Sequence, residues 1–135
     1  MLPEENFTGK KILITDNNPV NVKIVKKYLK QWDVDSDVAE NGKIACDKVS
    51  KNDYDLVLMD IQMPVMDGYE ASAAIRNMEG DKFKHLPIIA LSASTINEIK
   101  EEILKSGIDG CLTKPFTPSQ LYSILLVYFN KIVLK

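Results

Sequence analysis

Residues 55–60, Asp-Leu-Val-Leu-Met-Asp, place four consecutive apolar residues between two aspartates. A short, unbroken apolar run of this kind is typical of a β-strand that is covered on both faces, as in a parallel sheet flanked by helices. The turn-forming pair Asn52-Asp53 precedes the run, and a loop over residues 62–68 follows it. The stretch therefore predicts a central strand with Asp60 at its carboxyl end.

On both sides of this segment, short apolar runs alternate with stretches of helical periodicity. The predicted strands are residues 11–15, 34–38, 55–60, 86–92 and 110–113. Helical patterns follow them at residues 18–32, 41–50, 68–78, about 96–107 and from about 118 onward. This alternation predicts a parallel sheet with helices on both faces, and the polar run 34–38 is expected at an edge.

Side chains at the helix starts and along the helices refine this prediction. The residues expected to cap the first three helices are Asn18, Asn41 and Asp67. The second helix is expected to bury Ile44, Ala45 and Val49, and the fourth is expected to carry Ile96, Ile99 and Ile103.

Polar side chains stand at the carboxyl ends of four predicted strands. Asp16 and Asn17 follow the first strand, Asp60 ends the third, Ser92 ends the fourth and Lys114 follows the fifth. In a parallel sheet these ends share one edge, where ligands bind. Asp16 and Asp60 offer hard oxygen ligands for Mg²⁺, and Asp60 can also act as a carboxylate nucleophile. Lys114 and the Ser92 hydroxyl can hold phosphoryl oxygens, so the set predicts phosphoryl chemistry.

Four segments together resemble the response-regulator receiver family. They are ILITDNNPVN (12–21), DLVLMDIQMPVMDG (55–68), PIIALSA (87–93) and GCLTKPF (110–116). The resemblance implies a flavodoxin-like (βα)5 fold, with helices on both faces of a parallel sheet in strand order 2-1-3-4-5. The receiver domain is expected over residues 10–131, between a linker at 1–9 and a tail at 132–135.

The resemblance also implies a role for each residue of the set. Asp60 would be the phosphoacceptor, Ser92 the switch hydroxyl and Lys114 the phosphate-binding lysine, with a cis peptide bond to Pro115. The Mg²⁺ cofactor would be held by Asp16, Asn17, Asp60 and the backbone carbonyl of Gln62. The phosphoryl group would come from a phosphohistidine of a histidine kinase or a histidine phosphotransfer domain, and its arrival would switch partner binding.

Two positions depart from the family pattern. Asn17 stands where a second acid is usual, so one of three negative charges is missing and weaker Mg²⁺ binding is expected. Cys111 stands where an aromatic residue usually reports phosphorylation, so coupling is expected to depend on Ser92 and backbone shifts. Gln62 and Ser94, each two residues beyond a site residue, stand at positions that flank the water path in the family, so the resemblance implies that they set the lifetime of the acyl phosphate.

Alternatives to a phosphoacceptor remain open at this point. A pseudo-receiver, the same fold acting as a constitutive interaction module, would explain Asn17 as the first sign of decay. Flavin binding is disfavoured because residues 16–19, Asp-Asn-Asn-Pro, are not a Ser/Thr/Gly-rich phosphate loop. A phosphohydrolase is disfavoured because Gln62 stands where an aspartate-based phosphatase repeats an acid.

Composition narrows the class of protein further. Apolar residues make up 45% of the 135-residue chain, charged residues 27%, and the net charge is −2. These values indicate one globular domain that does not bind nucleic acid directly. There is no apolar run long enough for a membrane span or a signal peptide, and the two cysteines show no metal or disulfide spacing. We expect a cytoplasmic receiver without membrane contact, resembling those fused to hybrid sensor histidine kinases; its oligomeric state is left open.

Overall fold

The computed structural model describes residues 6–129. Its strands are β1 (Lys11–Thr15), β2 (Asp35–Ala39), β3 (Leu56–Asp60), β4 (Ile88–Ser92) and β5 (Gly110–Thr113). Its helices are α1 (Pro19–Gln31), α2 (Gly42–Lys51), α3 (Gly68–Arg76), α4 (Asp81–His85), α5 (Ile96–Ser106) and α6 (Pro118–Phe129). No helix within residues 6–129 is long and apolar enough to cross a bilayer.

The five strands form one parallel sheet in the order β2-β1-β3-β4-β5. This confirms the predicted flavodoxin-like topology and the edge position of β2. Every residue of β3 and β4 is buried, as the unbroken apolar runs predict. Strand order reverses between β1 and β3, so the loops after these two strands open a crevice at the carboxyl edge of the sheet.

Two apolar cores lie on opposite faces of the sheet because successive side chains of a strand point to opposite sides. On β1, Ile12 and Ile14 pack with α1 and α6, whereas Leu13 packs with α2, α3 and α5. The predicted caps are confirmed. The side-chain oxygens of Asn18 and Asn41 each accept a backbone N–H at 2.9 Å, and Asp67 forms a capping box with Glu70.

One prediction about a helix face is wrong. Ile44, expected to point inward, is 36% exposed in the first turn of α2. Ile96, in the first turn of α5, is 43% exposed. The predicted third helix is also too long. It ends at Arg76, and the separate short helix α4 follows, with Phe83 buried and His85 exposed at its end.

The linker predicted over residues 1–9 extends too far toward the sheet. Phe7 is only 9% exposed, and its backbone N–H donates to the Trp32 carbonyl at 2.8 Å. Its ring stacks on Tyr122, with 5.1 Å between the ring centroids, and meets Phe129 edge-on, with 5.0 Å between the centroids. These aromatic contacts make Phe7 part of the core. Residues 1–5, the predicted domain end at 131 and the tail at 132–135 lie outside the described residues.

Candidate functional site

Three charged side chains from separate strand ends meet at the crevice. The Lys114 Nζ lies 3.4 Å from Asp16 Oδ2 and 3.4 Å from Asp60 Oδ1. Asp16 and Asp60 are 3% and 7% exposed, so the lysine bridges two buried carboxylates. Ser92, also buried, lines the same cleft of about 320 Å³ together with Asn17 and Gln62. The structure therefore brings together every residue that the sequence predicts for the site.

Backbone pairing fixes the positions of these side chains. β1 and β3 run side by side with Thr15 opposite Met59, so Asp16 and Asp60 follow neighbouring positions in the two strands. The Lys114 N–H donates to the Ser92 carbonyl at 2.7 Å, which extends the pairing of β4 with β5 into the site. The peptide bond between Lys114 and Pro115 is cis, as predicted from the family resemblance.

Each of three site residues also accepts a backbone N–H from two positions farther along the chain. Asp16 Oδ1 accepts from Asn18 at 2.9 Å, and Asp60 Oδ1 accepts from Gln62 at 3.3 Å. Ser92 Oγ accepts from Ser94 at 3.0 Å. These bonds hold the side chains in fixed orientations at the mouth of the cleft before any ligand arrives.

The charges in the cleft do not balance. Burial raises the pKa of Asp60, and the nearby Asp16 carboxylate raises it further, against the lowering effects of the Lys114 ammonium and the Gln62 N–H. Two carboxylates face one ammonium, so the unliganded site carries an excess of buried negative charge. Such a site favours the binding of a cation.

The donor set fits Mg²⁺ better than a softer metal. Asp16, Asp60 and the exposed Asn17 all present oxygen at the cleft, which is the ligand type that Mg²⁺ prefers. Within residues 6–129 no group of three or more His, Cys, Asp and Glu side chains could hold a metal. The cleft itself contributes two carboxylates, Asp16 and Asp60, and the neutral amide of Asn17.

Sequence reasoning missed two apolar walls of the cleft. Tyr69 from α3 and Ile99 from α5 line it alongside the charged residues. Tyr69 follows Gly68 in the first turn of a helix, where the local pattern gives no signal of which way a ring points. Cys111 lies half-buried on β5 and packs on the same side of the sheet as Tyr69, and its effect on coupling stays a prediction.

An aspartate pair bridged by a lysine lies at the switch point of a parallel (βα)5 sheet, where such sheets bind ligands, as expected for the receiver class. The chain belongs to the response regulator receiver domain family, which it matches over residues 12–126. It is a receiver domain of two-component signalling.

Curated proteins with similar sequences are histidine kinases. Hybrid signal transduction histidine kinase I from Dictyostelium discoideum is 42% identical over 120 residues, which cover 85% of this chain and 7% of that protein. Histidine kinase 3 from Arabidopsis thaliana is 38% identical over 141 residues, which cover 90% of this chain and 14% of that protein. Sensor protein GacS from Pseudomonas syringae pv. syringae is 39% identical over 125 residues, covering 92% and 14%. The chain thus spans 7–14% of the length of these relatives.

Solved structures with the same fold include receiver domains and response regulators. The receiver domain of a sensor histidine kinase from Pseudomonas aeruginosa PAO1 has a TM-score of 0.83 and 32% identity, covering 91% of this chain and 99% of that one. That crystal structure has a magnesium ion coordinated in its active-site cleft. The chemotaxis response regulator CheY4 of Vibrio cholerae has a TM-score of 0.83 and 31% identity, and the match covers 90% of this chain and 99% of that one. These similarities fit a phosphoacceptor role and give no support to the pseudo-receiver alternative.

Proposed function

We propose that Asp60 accepts a phosphoryl group from a phosphohistidine of a histidine kinase or a histidine phosphotransfer domain, in a reaction that requires Mg²⁺. The modification then changes the affinity of the domain for its partners. The observation that carries this proposal is the Lys114 ammonium, 3.4 Å from both Asp16 and Asp60 in a buried cleft. A phosphoryl group on Asp60 would enter a site that already holds a positive charge beside its acceptor oxygen.

The side chains divide the work of the transfer. An Asp60 carboxylate oxygen attacks phosphorus, the phosphorus–nitrogen bond of the phosphohistidine breaks, and its electron pair returns to the imidazole. The Lys114 ammonium, the Ser92 hydroxyl and the backbone N–H groups of Gln62 and Ala93 hold the phosphoryl oxygens. Asp16, Asn17, Asp60 and the Gln62 carbonyl would hold the Mg²⁺, which neutralises charge that develops on the transferred group.

The test is phosphorylation by a small donor. Incubation with acetyl phosphate and Mg²⁺ is expected to add the mass of one phosphoryl group, and peptide mapping is expected to place it on Asp60. The gain should disappear when Mg²⁺ is chelated. A chain that binds Mg²⁺ yet gains no mass under these conditions would instead be a pseudo-receiver.

Asn17 is proposed to weaken the Mg²⁺ site, and the Asn17→Asp variant is expected to strengthen it. A restored carboxylate adds a full charge, but the position is exposed, so solvent screening limits the expected gain to about tenfold in affinity. Isothermal titration calorimetry at fixed ionic strength measures it. The matched control is Asn52→Asp, which adds the same charge at an exposed position at the end of α2 that does not line the cleft. Equal Mg²⁺ affinity in Asn17→Asp and wild type would refute the idea.

The surface beside the cleft suggests where a protein donor docks. A groove between α1 and the β5–α6 loop shares Asp16 and Lys114 with the cleft and is lined by Ile24 and Phe116. Ile24 and Val20, one helical turn apart, are 44% and 65% exposed. The four lysines of α1 are exposed and the helix has no acidic residue. A donor with an apolar centre and an acidic rim around its phosphohistidine would match this surface.

The Ile24→Glu variant is expected to separate docking from chemistry. Transfer from a phosphorylated histidine kinase should slow at least about tenfold, because a buried charge is costly at an interface centre. Phosphorylation by acetyl phosphate should not change, since Ile24 lies outside the cleft around Asp60. The control is Leu104→Glu on α5, which is 70% exposed and distant in the fold from this groove. Slower transfer in Leu104→Glu alone would assign docking to the other face.

We propose a cytoplasmic location for the domain. Cys46 and Cys111 are both free thiols in the structure, as a reducing compartment would keep them.

A further inference from the structure

Two openings lie side by side next to Asp60. One is the acidic cleft, which contains Asp60 itself. The other is a shallower outer groove along the loop that joins β3 to α3, and it contains Met63 and Pro64. Three residues line both openings: Ile61, Gln62 and Tyr69. Of these three residues, Ile61 is buried and Gln62 is exposed. Tyr69 has the largest side chain of the three, and its ring lies between the two openings.

The start of α3 fixes Tyr69 beside the acceptor. The Gly68 N–H donates to the Ile61 carbonyl at 2.9 Å, and a Cβ at Gly68 would collide with the Asp60 carbonyl oxygen. The helix therefore begins in direct contact with the Asp60 backbone, and the Asp67–Glu70 capping box orders its first turn. Tyr69 is the next residue, and it packs against the same apolar core as Ile99 of α5. Its ring is thus held at the wall by packing.

The Tyr69 hydroxyl takes no visible part in this arrangement. It makes no hydrogen bond to any residue in the range 6–129 that the structure describes. Burial, followed by the nearby carboxylate of Glu102, raises the pKa of Tyr69, so the ring stays neutral at physiological pH. The contribution of Tyr69 to the wall is therefore the bulk of its ring and not proton transfer or charge.

We propose that the Tyr69 ring shields the phosphoryl group on Asp60 from water entering through the outer groove, and thereby sets how long the domain stays phosphorylated. The inference rests on the proposed function, and it assigns a further residue to the control of phosphoryl loss from Asp60. In hydrolysis a water oxygen bonds to phosphorus, and the bond from phosphorus to the Asp60 oxygen breaks. The carboxylate keeps the electron pair, and the protons of the water pass to the released phosphate and to solvent. Tyr69 touches none of the reacting atoms and acts by excluding the nucleophile.

The experiment follows the loss of the phosphoryl group after the donor is removed. Wild type and variants are phosphorylated with acetyl phosphate and Mg²⁺, desalted, and sampled over time by intact-mass spectrometry. Tyr69→Ala is expected to hydrolyse at least fivefold faster than wild type. Tyr69→Phe, which keeps the ring, is expected to hydrolyse within twofold of wild type. Met63→Ala, which opens the outer groove without touching the cleft, should leave the rate unchanged.

A merely structural role for Tyr69 would give a different pattern. It would lower the melting temperature of Tyr69→Ala without selective loss of the phosphoryl group. Hydrolysis as fast in Tyr69→Phe as in Tyr69→Ala would assign the effect to the hydroxyl and contradict shielding by the ring. If Tyr69→Ala does not fold, Tyr69→Leu replaces it and an intermediate acceleration is expected. A wild-type hydrolysis rate in a phosphorylated Tyr69→Ala or Tyr69→Leu protein would overturn this inference alone. Failure of the wild type to take up a phosphoryl group would overturn the proposed function and this inference together.

Discussion

Replacing Asp60 with asparagine is expected to abolish phosphoryl uptake and, without Mg²⁺ at neutral pH, to stabilise the fold. The amide is almost the same size as the carboxylate but has no nucleophilic charge, so no mass gain with acetyl phosphate should remain. It also removes one of two buried carboxylates, and Lys114 keeps its partner Asp16 at 3.4 Å. Relief of a strained functional site is typically worth on the order of 1 kcal/mol, which would raise the melting temperature by about 4 °C.

The pH dependence of this stabilisation gives a check on its cause. The pKa of Asp60 is raised in the folded state above its usual 3.8, so Asp60 favours folding only while it is protonated. That contribution is complete below pH 3.8 and is lost as the pH rises through the folded-state pKa. The advantage of Asp60→Asn should therefore be largest near neutral pH and should shrink as the pH approaches 4. An advantage that grows on acidification would contradict this explanation.

Mg²⁺ should reverse the order of stability. A ligand that binds only the folded state stabilises it by about 2.7 kcal/mol at one hundred times its dissociation constant. Wild type should therefore gain melting temperature as Mg²⁺ is added, and Asp60→Asn, which lacks one ligand, should gain less. Thermal melts with chelator and with Mg²⁺ measure both effects in the same samples. An equal gain in the two proteins would show that Asp60 is not a Mg²⁺ ligand.

Much of the fold could be predicted because its information is local in the sequence. The buried runs of β3 and β4 identify central strands, and Asn18, Asn41 and Asp67 identify helix starts. The site could be predicted for the same reason: a parallel sheet brings all strand ends to one edge. The polar residues at the carboxyl ends of the strands therefore identify the site.

The features that the sequence did not reveal depend on contacts between distant segments. Phe7 is buried only because α1 and α6 bring Trp32, Tyr122 and Phe129 to it. The short helix α4 has no side-chain cap, and Gly80 before it has a φ of 120°. Five residues without a cap do not form a stable helix alone, so α4 requires tertiary support. Buried Phe83 contributes to that support, and so does the hydrogen bond from Arg76 to the Phe83 carbonyl.

The Arg76→Ala variant is accordingly expected to lose about 3 kcal/mol of unfolding free energy, and about 10 °C in melting temperature. The Arg76 guanidinium donates to the carbonyls of Phe83 at 2.7 Å, Leu86 at 2.8 Å and Gly107 at 2.9 Å, and pairs with Asp109 at 2.8 Å. It thus ties α4 and the end of α5 to α3, and only 17% of its side chain is exposed. Truncation would remove this donor from the carbonyls of the buried residues Phe83 and Leu86.

Two variants sharpen the interpretation of this loss. Arg76→Lys keeps the positive charge but lacks the planar guanidinium group that donates to several acceptors at once. It should therefore recover only part of the lost stability. Lys82→Ala breaks the exposed Lys82–Asp53 pair at 3.0 Å, where Asp53 is 91% exposed, and should cost at most about 0.5 kcal/mol. Chemical denaturation of the three variants measures these differences. If Arg76→Ala were no less stable than Lys82→Ala, the Arg76 bonds to Phe83 and Leu86 would not support α4. Arg76→Ala should still be phosphorylated at temperatures below its unfolding transition. The contacts that it loses lie near Asp109, which accepts the N–H of Ile88 at the start of β4, whereas the site residue Ser92 is at the other end of that strand.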